Sequence, residues 1–206
     1  MNIQQMHIGV NLRVDRVSSN SSEGFLPDEI DYYLNRAIEQ YIKQQYSIIK
    51  DETKDLQNQY VVENLRTIIK SQGITLGTPT ATVIPFDIPN DYYYYLALQY
   101  ISDGKLRNTT LRTPKGLKPY LTTATNSPLF REYPFIIENT QIKVYVNQND
   151  IQTSPEANLS YIAKPTVVEL DVDTPANNVN CNLPEHTHVE IVDIASQLLL
   201  QDITRQ

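Results

Sequence analysis

The stretch LPEHTHVEIVDIASQLLL, residues 183–200, predicts a helix with an acidic start and a broad apolar face. Pro184 suits the first helical position, because its missing N–H would be unpaired there in any case. Glu185 follows it where the positive end of the helix dipole favours an anion. Apolar residues then recur at steps of three and four residues: Val189, Val192, Ala195, Leu199 and Ile203. A face this wide needs cover on more than one side, so we expect this helix to pack against other helices.

Two further helices are predicted near the start of the chain. The motif LPDEI at residues 26–30 is a second helix start of the same kind, and apolar residues follow it at helical spacing. A shorter helical pattern occupies residues 56–69. Because a short charged connection at 50–55 joins the two helices, we expect them to pack as an antiparallel pair.

The middle of the chain has the composition of β-structure. Residues 74–170 are rich in β-branched and aromatic side chains and are punctuated by Pro and Gly. Strands are predicted at the tyrosine-rich stretch 92–102 and at 159–165, and a hairpin is predicted over 135–146. The Asp91 before the tyrosines also suits a short helix. The basic, proline-broken stretch 103–128 predicts a surface loop.

The order of these elements predicts an α+β fold rather than alternating βαβ units. We expect one domain over residues 1–206, in which the helical segments 26–72 and 184–206 form a small bundle. An antiparallel β-rich lobe, 74–170, lies between them and contains the loop 103–128. Residues 1–25 predict an extended arm or strand, because apolar residues alternate there: Ile8, Val10, Leu12 and Val14.

Composition excludes several function classes. A net charge of −7 and a pI of about 4.9 argue against a dedicated DNA-binding surface, which needs clustered Lys and Arg. The single cysteine leaves no intramolecular disulfide. No apolar run is long enough to predict a membrane span, and residues 1–10 lack the pattern of a signal peptide. The 14 tyrosines suit faces buried on one edge only, such as sheets and subunit contacts.

No motif in the sequence predicts catalysis or cofactor binding. His186 and His188 are two residues apart, whereas helical neighbours on one face are three or four apart, so we interpret them as a solvated helix start. His7 has no linked acid in the sequence, and Cys181 has no evident oxyanion site beside it. The sequence therefore predicts no catalytic, cofactor-binding or metal-binding residues and no enzyme. A hydrolase or metal enzyme that uses Cys181, Glu185 and the two histidines is the least favoured hypothesis.

Four segments, in this order, carry a resemblance to a known family. They are LPDEIDYYLNRA at 26–37, IPNDYYYY at 88–95, IAKP at 162–165 and LPEH at 183–186. This order resembles the neck proteins of tailed phages, particularly the ring or tail-adaptor proteins of crAss-like phages of Bacteroidetes. More distantly, it resembles tail tubular protein A, the gatekeeper adaptor of short-tailed phages. The resemblance extends over residues 25–203.

The resemblance implies a structural virion protein that assembles in the host cytoplasm and has no cofactor. Such proteins form closed homo-oligomeric rings, typically of twelve copies, in the head-to-tail connector. Their partners are the portal protein and the adjacent ring or tail proteins, and genomic DNA passes through the lumen without sequence-specific binding. No membrane is involved. By analogy, helical segments 26–48 and 184–203 face neighbours or the portal.

Tyrosine content, the apolar helix faces and the basic stretch 103–128 together suggest an assembly interface. The candidate residues are Tyr33, Tyr41, Tyr92, Tyr94, Arg112, Lys115, Val192 and Leu199. The alternative function is a β-rich adhesion module that binds carbohydrate or protein, in which the tyrosine rings stack on sugars.

Overall fold

In the computed structural model the chain divides into two compact units, where the sequence predicts one domain. The helical unit contains Met1–Ile69 and Lys164–Gln206, and the β unit contains Lys70–Ala163. Helices at both ends of the chain flank a β-rich region, which confirms the predicted α+β class. The β unit ends at Ala163, whereas the sequence predicts the lobe to extend to residue 170. The structure describes residues 1–15, 25–49, 55–80, 82–102, 104–117, 133–146 and 155–204.

Four α-helices are described in the helical unit: α1 (Ile3–Asp15), α2 (Pro27–Ile49), α3 (Asp55–Leu65) and α4 (His188–Ile203). α4 packs against both α1 and α2, and α2 also contacts α3. The predicted C-terminal helix therefore joins the N-terminal helices, as expected. Pro184 directly precedes a short 3₁₀ turn, Glu185–Thr187, rather than occupying the first helical position, and α4 begins directly after that turn.

The predicted extended arm is wrong for residues 3–15, which form α1. A capping box explains the helix start. The backbone N–H of Gln5 donates to Asn2 Oδ1 (2.8 Å), and the backbone N–H of Asn2 donates to Gln5 Oε1 (2.9 Å). Two of the unpaired N–H groups at the helix start are thereby satisfied, which favours a helix over a strand. Residues 16–24 of the predicted arm lie outside the described residues.

α1 and α4 approach each other closely at Gly9. A Cβ atom at this position would lie 3.0 Å from Cγ1 of Val192, which is shorter than an ordinary carbon–carbon contact. Beside it, the Arg13 guanidinium donates to the Gly9 carbonyl (3.0 Å) and forms an ion pair with Asp193 on α4. The missing side chain of Gly9 therefore sets how near the two helices lie.

The described residues of the β unit form two sheets of four strands each. The strand order is β1-β8-β3-β4 in one sheet and β2-β7-β6-β5 in the other. β5 runs parallel to β6, whereas β3–β8, β3–β4, β2–β7 and β6–β7 are antiparallel pairs. The bounds are β1 Ile69–Ile74, β2 Val83–Asp87, β3 Tyr92–Ser102, β4 Lys105–Arg107, β5 Thr109–Leu111, β6 Tyr133–Glu138, β7 Gln141–Tyr145 and β8 Glu156–Ala163.

The β predictions are largely confirmed. The tyrosine-rich stretch is strand β3, and the predicted hairpin is β6–β7, with Asn139 in the left-handed region (φ 53°) at its turn. Asn tolerates this conformation better than other residues with a Cβ. The described part of the predicted loop 103–128 is more ordered than expected, because it contains β4, β5 and a helical turn at 114–117. Residues 103 and 118–128 lie outside the described residues.

One apolar core lies between the two sheets. Its fully buried side chains come from five strands: Phe86, Tyr100, Phe135, Val144 and Leu159 are examples. The rings of Phe86 and Tyr100, from opposite sheets, meet edge to face with centroids 6.2 Å apart. The alternation of buried and half-buried residues in β7 and in the first part of β8 follows from this two-sheet arrangement.

Two chain segments close the lateral sides of the sandwich by passing from one sheet to the other. After β1, residues 75–77 pair with β2 through Gly77 N–H to Pro85 O (2.8 Å) and Asp87 N–H to Thr75 O (2.9 Å). On the other side, β4 continues into β5 through one residue. Residues 75–77 thereby cover the outer edge of β2, which would otherwise offer unpaired backbone groups to another chain.

Gly9→Val should lower the free energy of unfolding by about 1–3 kcal/mol, because the new side chain must overlap Val192. Helix propensity alone predicts the opposite, since valine is a better helix former than glycine. Urea unfolding followed by circular dichroism at 222 nm measures the effect. Gln4→Val, at an exposed position of the same helix, is the matched control and should change stability far less. Equal effects of the two variants would contradict the close approach at Gly9.

Candidate assembly surfaces

A buried carboxylate joins three segments of the helical unit. Asp31 on α2 accepts a hydrogen bond from His7 on α1 (Oδ1 to Nε2, 2.7 Å), and both residues are buried. Its other oxygen, Oδ2, accepts from the backbone N–H of Leu170 (2.9 Å). His7 therefore does have an acidic partner, which the sequence does not reveal because 24 residues separate the two.

Asn35, one turn later on α2, holds the same extended segment. Its Nδ2 donates to Val168 O (2.9 Å), and Val168 N–H donates to its Oδ1 (2.8 Å). This side-chain amide thus pairs with the backbone as a neighbouring strand would. The segment is also paired through its backbone on Glu169, which exchanges two hydrogen bonds with Val179. We name residues 167–173 the strap.

The strap presents apolar and acidic side chains to solvent. Val167 and Val172 are 70% and 65% exposed, and Glu169 and Asp173 are exposed as well. Asp171 differs, because its carboxylate accepts hydrogen bonds from Thr174 N–H and Asn177 Nδ2. These hydrogen bonds lower the pKa of Asp171. Asp171 therefore shapes the turn that follows the strap, whereas Glu169 and Asp173 remain available to a partner.

The two histidines at the start of α4, His186 and His188, have structural partners. Nε2 of His186 lies 3.0 Å from Asn64 Oδ1. The prediction of a solvated helix start is wrong for His188, which is buried. Its Nδ1 and Nε2 lie 3.0 Å and 2.9 Å from the backbone oxygens of Met1 and Leu183. It therefore connects the start of α1 with the start of α4.

The surroundings of Cys181 and Glu185 bear on the enzyme hypothesis. Burial raises the pKa of the Cys181 thiol, which disfavours the reactive thiolate. Glu185 pairs with the Met1 ammonium group (2.8 Å), which lowers the pKa of that carboxyl. Within the described ranges, no three His, Cys, Asp or Glu side chains are arranged to hold a metal ion.

Charge is divided unequally between the two units. Over the whole sequence, the helical unit contains nine Lys and Arg against 17 Asp and Glu, a net charge of −8. The β unit contains eight Lys and Arg against seven Asp and Glu, a net charge of +1. The acidic balance of the chain is therefore a property of the helical unit alone.

A surface segment of the β unit combines cations with exposed leucines. Lys105 and Lys115 are exposed, and Leu106 and Leu111 between them are 64% and 44% exposed. Within this segment lie two half-buried arginines, Arg107 and Arg112. We name residues 105–115 the basic strip. Arginine is enriched at protein interfaces, and positive charge on a surface complements a negatively charged partner.

Three of the predicted interface residues belong to the core of the helical unit. Tyr41, Val192 and Leu199 are each at most 1% exposed, so they offer no surface to a neighbour in this conformation. Tyr33 is half-buried, and its hydroxyl donates to Asp202 Oδ2 on α4 (3.1 Å). The helical periodicity predicts which face of each helix is packed. Other helices of the same chain cover that face.

The other predicted interface residues lie on the β unit. Arg112 and Lys115 belong to the basic strip. Tyr92 and Tyr94 are half-buried on β3, where the ring of Tyr92 lies 5.9 Å from the ring of Tyr161. Packing of tyrosine rings within the β unit therefore explains part of the high tyrosine content of β3.

A hydrogen-bonded group fixes the start of β3. Asp91 accepts from Lys70 Nζ (2.6 Å) and from the hydroxyl of Tyr161 (2.8 Å). The hydrogen bonds from Lys70 and Tyr161 lower the pKa of Asp91 below its ordinary 3.8. Burial and the neighbouring Asp91 raise the pKa of Tyr161 to about 12. The group is therefore held together by a charged carboxylate and a neutral phenol.

Asp31→Ala should destabilise the helical unit by about 3 kcal/mol or more, because it leaves the His7 ring and the Leu170 N–H buried without their acceptor. Urea unfolding at 222 nm measures the loss. Cleavage at Glu169 by a Glu-specific protease should also become faster, since the strap loses an anchor. Glu39→Ala, exposed on the same helix, is the control and should stay within about 0.5 kcal/mol. An equally small loss for Asp31→Ala would refute its anchoring role.

The β unit should lose stability as the pH falls from about 5 to about 2. A carboxyl whose folded-state pKa is lowered stabilises the fold above its unfolded value and stops doing so when it is protonated. Asp91→Asn should therefore give a shallower decline of the melting temperature on acidification than the unchanged chain. Thermal unfolding followed by near-ultraviolet circular dichroism of the tyrosines gives the melting temperature at each pH. Glu156→Gln, at an exposed position of β8, is the control. If the melting temperatures of the unchanged chain and of Asp91→Asn fall equally steeply with pH, the hydrogen-bonded group at Asp91 does not stabilise the β unit.

Comparison with known proteins identifies no family for this chain. No family model matches it, and no curated protein matches it significantly. In the described part of the chain, no helix is both long and apolar enough to cross a membrane. The surfaces of the two units are therefore the basis for a functional proposal.

Proposed function

We propose that this chain is a structural subunit of an oligomeric ring in the head-to-tail connector of a tailed bacteriophage. In this role, copies of the chain join the portal protein to the next ring or tail component and surround the channel through which DNA leaves. In this proposal each copy forms contacts with its neighbours and catalyses no reaction.

The observation that carries the proposal is the arrangement of the chain. A helical unit built from both chain ends encloses, in sequence, a β unit that is inserted between them. The resemblance to phage neck ring proteins implies this same combination of a helical bundle with a β-rich lobe. The segments that carry the resemblance fall at element boundaries: residues 26–37 start α2, and 162–165 span the passage from β8 to the strap.

The surfaces of the chain also suit assembly into a ring. A closed ring needs two different sticky faces on each subunit, because each copy contacts one neighbour with each face. The strap and the basic strip are two such faces, and they lie on different units.

The purified chain should assemble into closed rings as its concentration rises, and by analogy with the family the rings should contain twelve copies. Mass photometry gives the number of copies, and negative-stain electron microscopy gives the closure. Mass spectrometry of purified virions should find the chain in fixed ratio to the portal protein. A chain that is strictly monomeric at all concentrations and absent from virions would rule out this function. Binding to a glycan array by the monomer would instead favour the adhesion module.

A further inference from the structure

The basic strip is the most exposed apolar surface described on the β unit. The exposed large apolar residues of this unit are Leu76, Leu106 and Leu111, and the last two belong to the strip. Both leucines lie between the exposed cations Lys105 and Lys115 in the sequence. Such a surface fits a partner that offers apolar contacts and negative charge together, rather than negative charge alone.

The strap of the helical unit offers that combination. Val167 and Val172 are its exposed apolar residues, and Glu169 and Asp173 are its exposed acids. The strap is also rigid in its backbone, because Asn35 and Asp31 hold Val168 and Leu170 on one side. A surface that is already ordered loses little conformational entropy when a partner binds.

We propose that the basic strip of one copy binds the strap of the next copy. This inference rests on the proposed ring function and assigns the contact that joins neighbouring subunits. Lys105 and Lys115 face Glu169 and Asp173 across the contact, and the two leucines pack against the two valines. Because strip and strap lie on different parts of the same chain, each copy has one of each, and the contact repeats from copy to copy.

Charge favours a second copy over nucleic acid as the occupant of the strip. The chain as a whole has a net charge of −7, and the helical unit alone −8, so a phosphate backbone is repelled by most of the molecule. A second copy places its acidic strap on the strip. Opposite charges of this kind contribute mainly to orientation and to rejection of wrong partners, while the apolar residues supply contact area.

Charge exchange between two variants tests the contact. The first variant, Lys105→Glu with Lys115→Glu, makes the strip acidic. The second, Glu169→Lys with Asp173→Lys, makes the strap basic. Each variant alone then presents like charges at the contact, and its self-association should weaken at least about tenfold. In an equimolar mixture the contact is complementary again, so assembly should be restored. Sedimentation velocity over a range of concentrations measures all three samples.

The matched control is Arg66→Glu with Lys143→Glu, which changes the net charge as much as the first variant but lies outside the strip, the strap and the helical segments 26–48 and 184–203. It should assemble as the unchanged chain does. Assembly of the unchanged chain should also weaken as salt is raised from about 0.1 M to about 1 M, where the screening length falls from about 10 Å to about 3 Å. Circular dichroism verifies that every variant is folded.

The outcomes separate this contact from the ring function itself. Restored assembly in the mixture supports the contact. If both variants alone form rings like those of the unchanged chain, the proposed contact is wrong and the ring function stands. If each variant is monomeric and the mixture stays monomeric, the contact is also wrong. If the unchanged chain never assembles and is absent from virions, the ring function fails together with the contact. Duplex DNA bound by the unchanged chain and lost in the first variant alone would assign the strip to nucleic acid.

Discussion

The helical unit depends on the buried carboxylate of Asp31. A carboxylate away from water is costly unless both of its oxygens are bonded, and here the partners come from distant parts of the sequence. His7 lies 24 residues before it, and Leu170 lies 139 residues after it. The position of the strap is therefore tied to the docking of α1 on α2. The surface that the strap offers to a neighbour is set by the same contacts that hold the unit together.

The spacing of apolar residues predicts the helices and strands in which that spacing has the period of the secondary structure formed. α2, β3 and the β6–β7 hairpin follow from helical or strand patterns that begin and end at clear signals. α1 is not predicted, because the strand-like alternation of residues 8–14 hides a second, helical pattern. Its buried residues recur at steps of three and four: Ile3, Met6, Val10 and Val14. The capping box between Asn2 and Gln5 also favours a helix. Turned into a helix, the alternation spreads apolar residues around the axis and leaves Ile8 and Leu12 exposed. The start signal and the packing on α4 prevail over the strand-like alternation.

The surfaces are predicted less well than the core, for a physical reason. A stripe of apolar residues shows that a helix face is covered, but it does not show what covers it. Tyr41, Val192 and Leu199 are therefore found in the core, although their pattern is also that of an interface. Lys115 is exposed, as its polar, proline-broken surroundings indicate, whereas Arg112 in the same stretch is half-buried. The strap could not be predicted, since its anchors Asp31 and Asn35 are more than 130 residues away.

The division of the chain also sets the order in which its parts can form during synthesis. The β unit is one continuous segment and can fold as soon as Ala163 has left the ribosome. The helical unit cannot, because α1 packs on α4, which is made last. At about 5–20 residues per second, α1 waits on the order of ten seconds or more for its partner. During that time the part of α1 that packs on α4 lies open to chaperones and to other nascent chains, so crowded polysomes are where wrong pairing of α1 would begin.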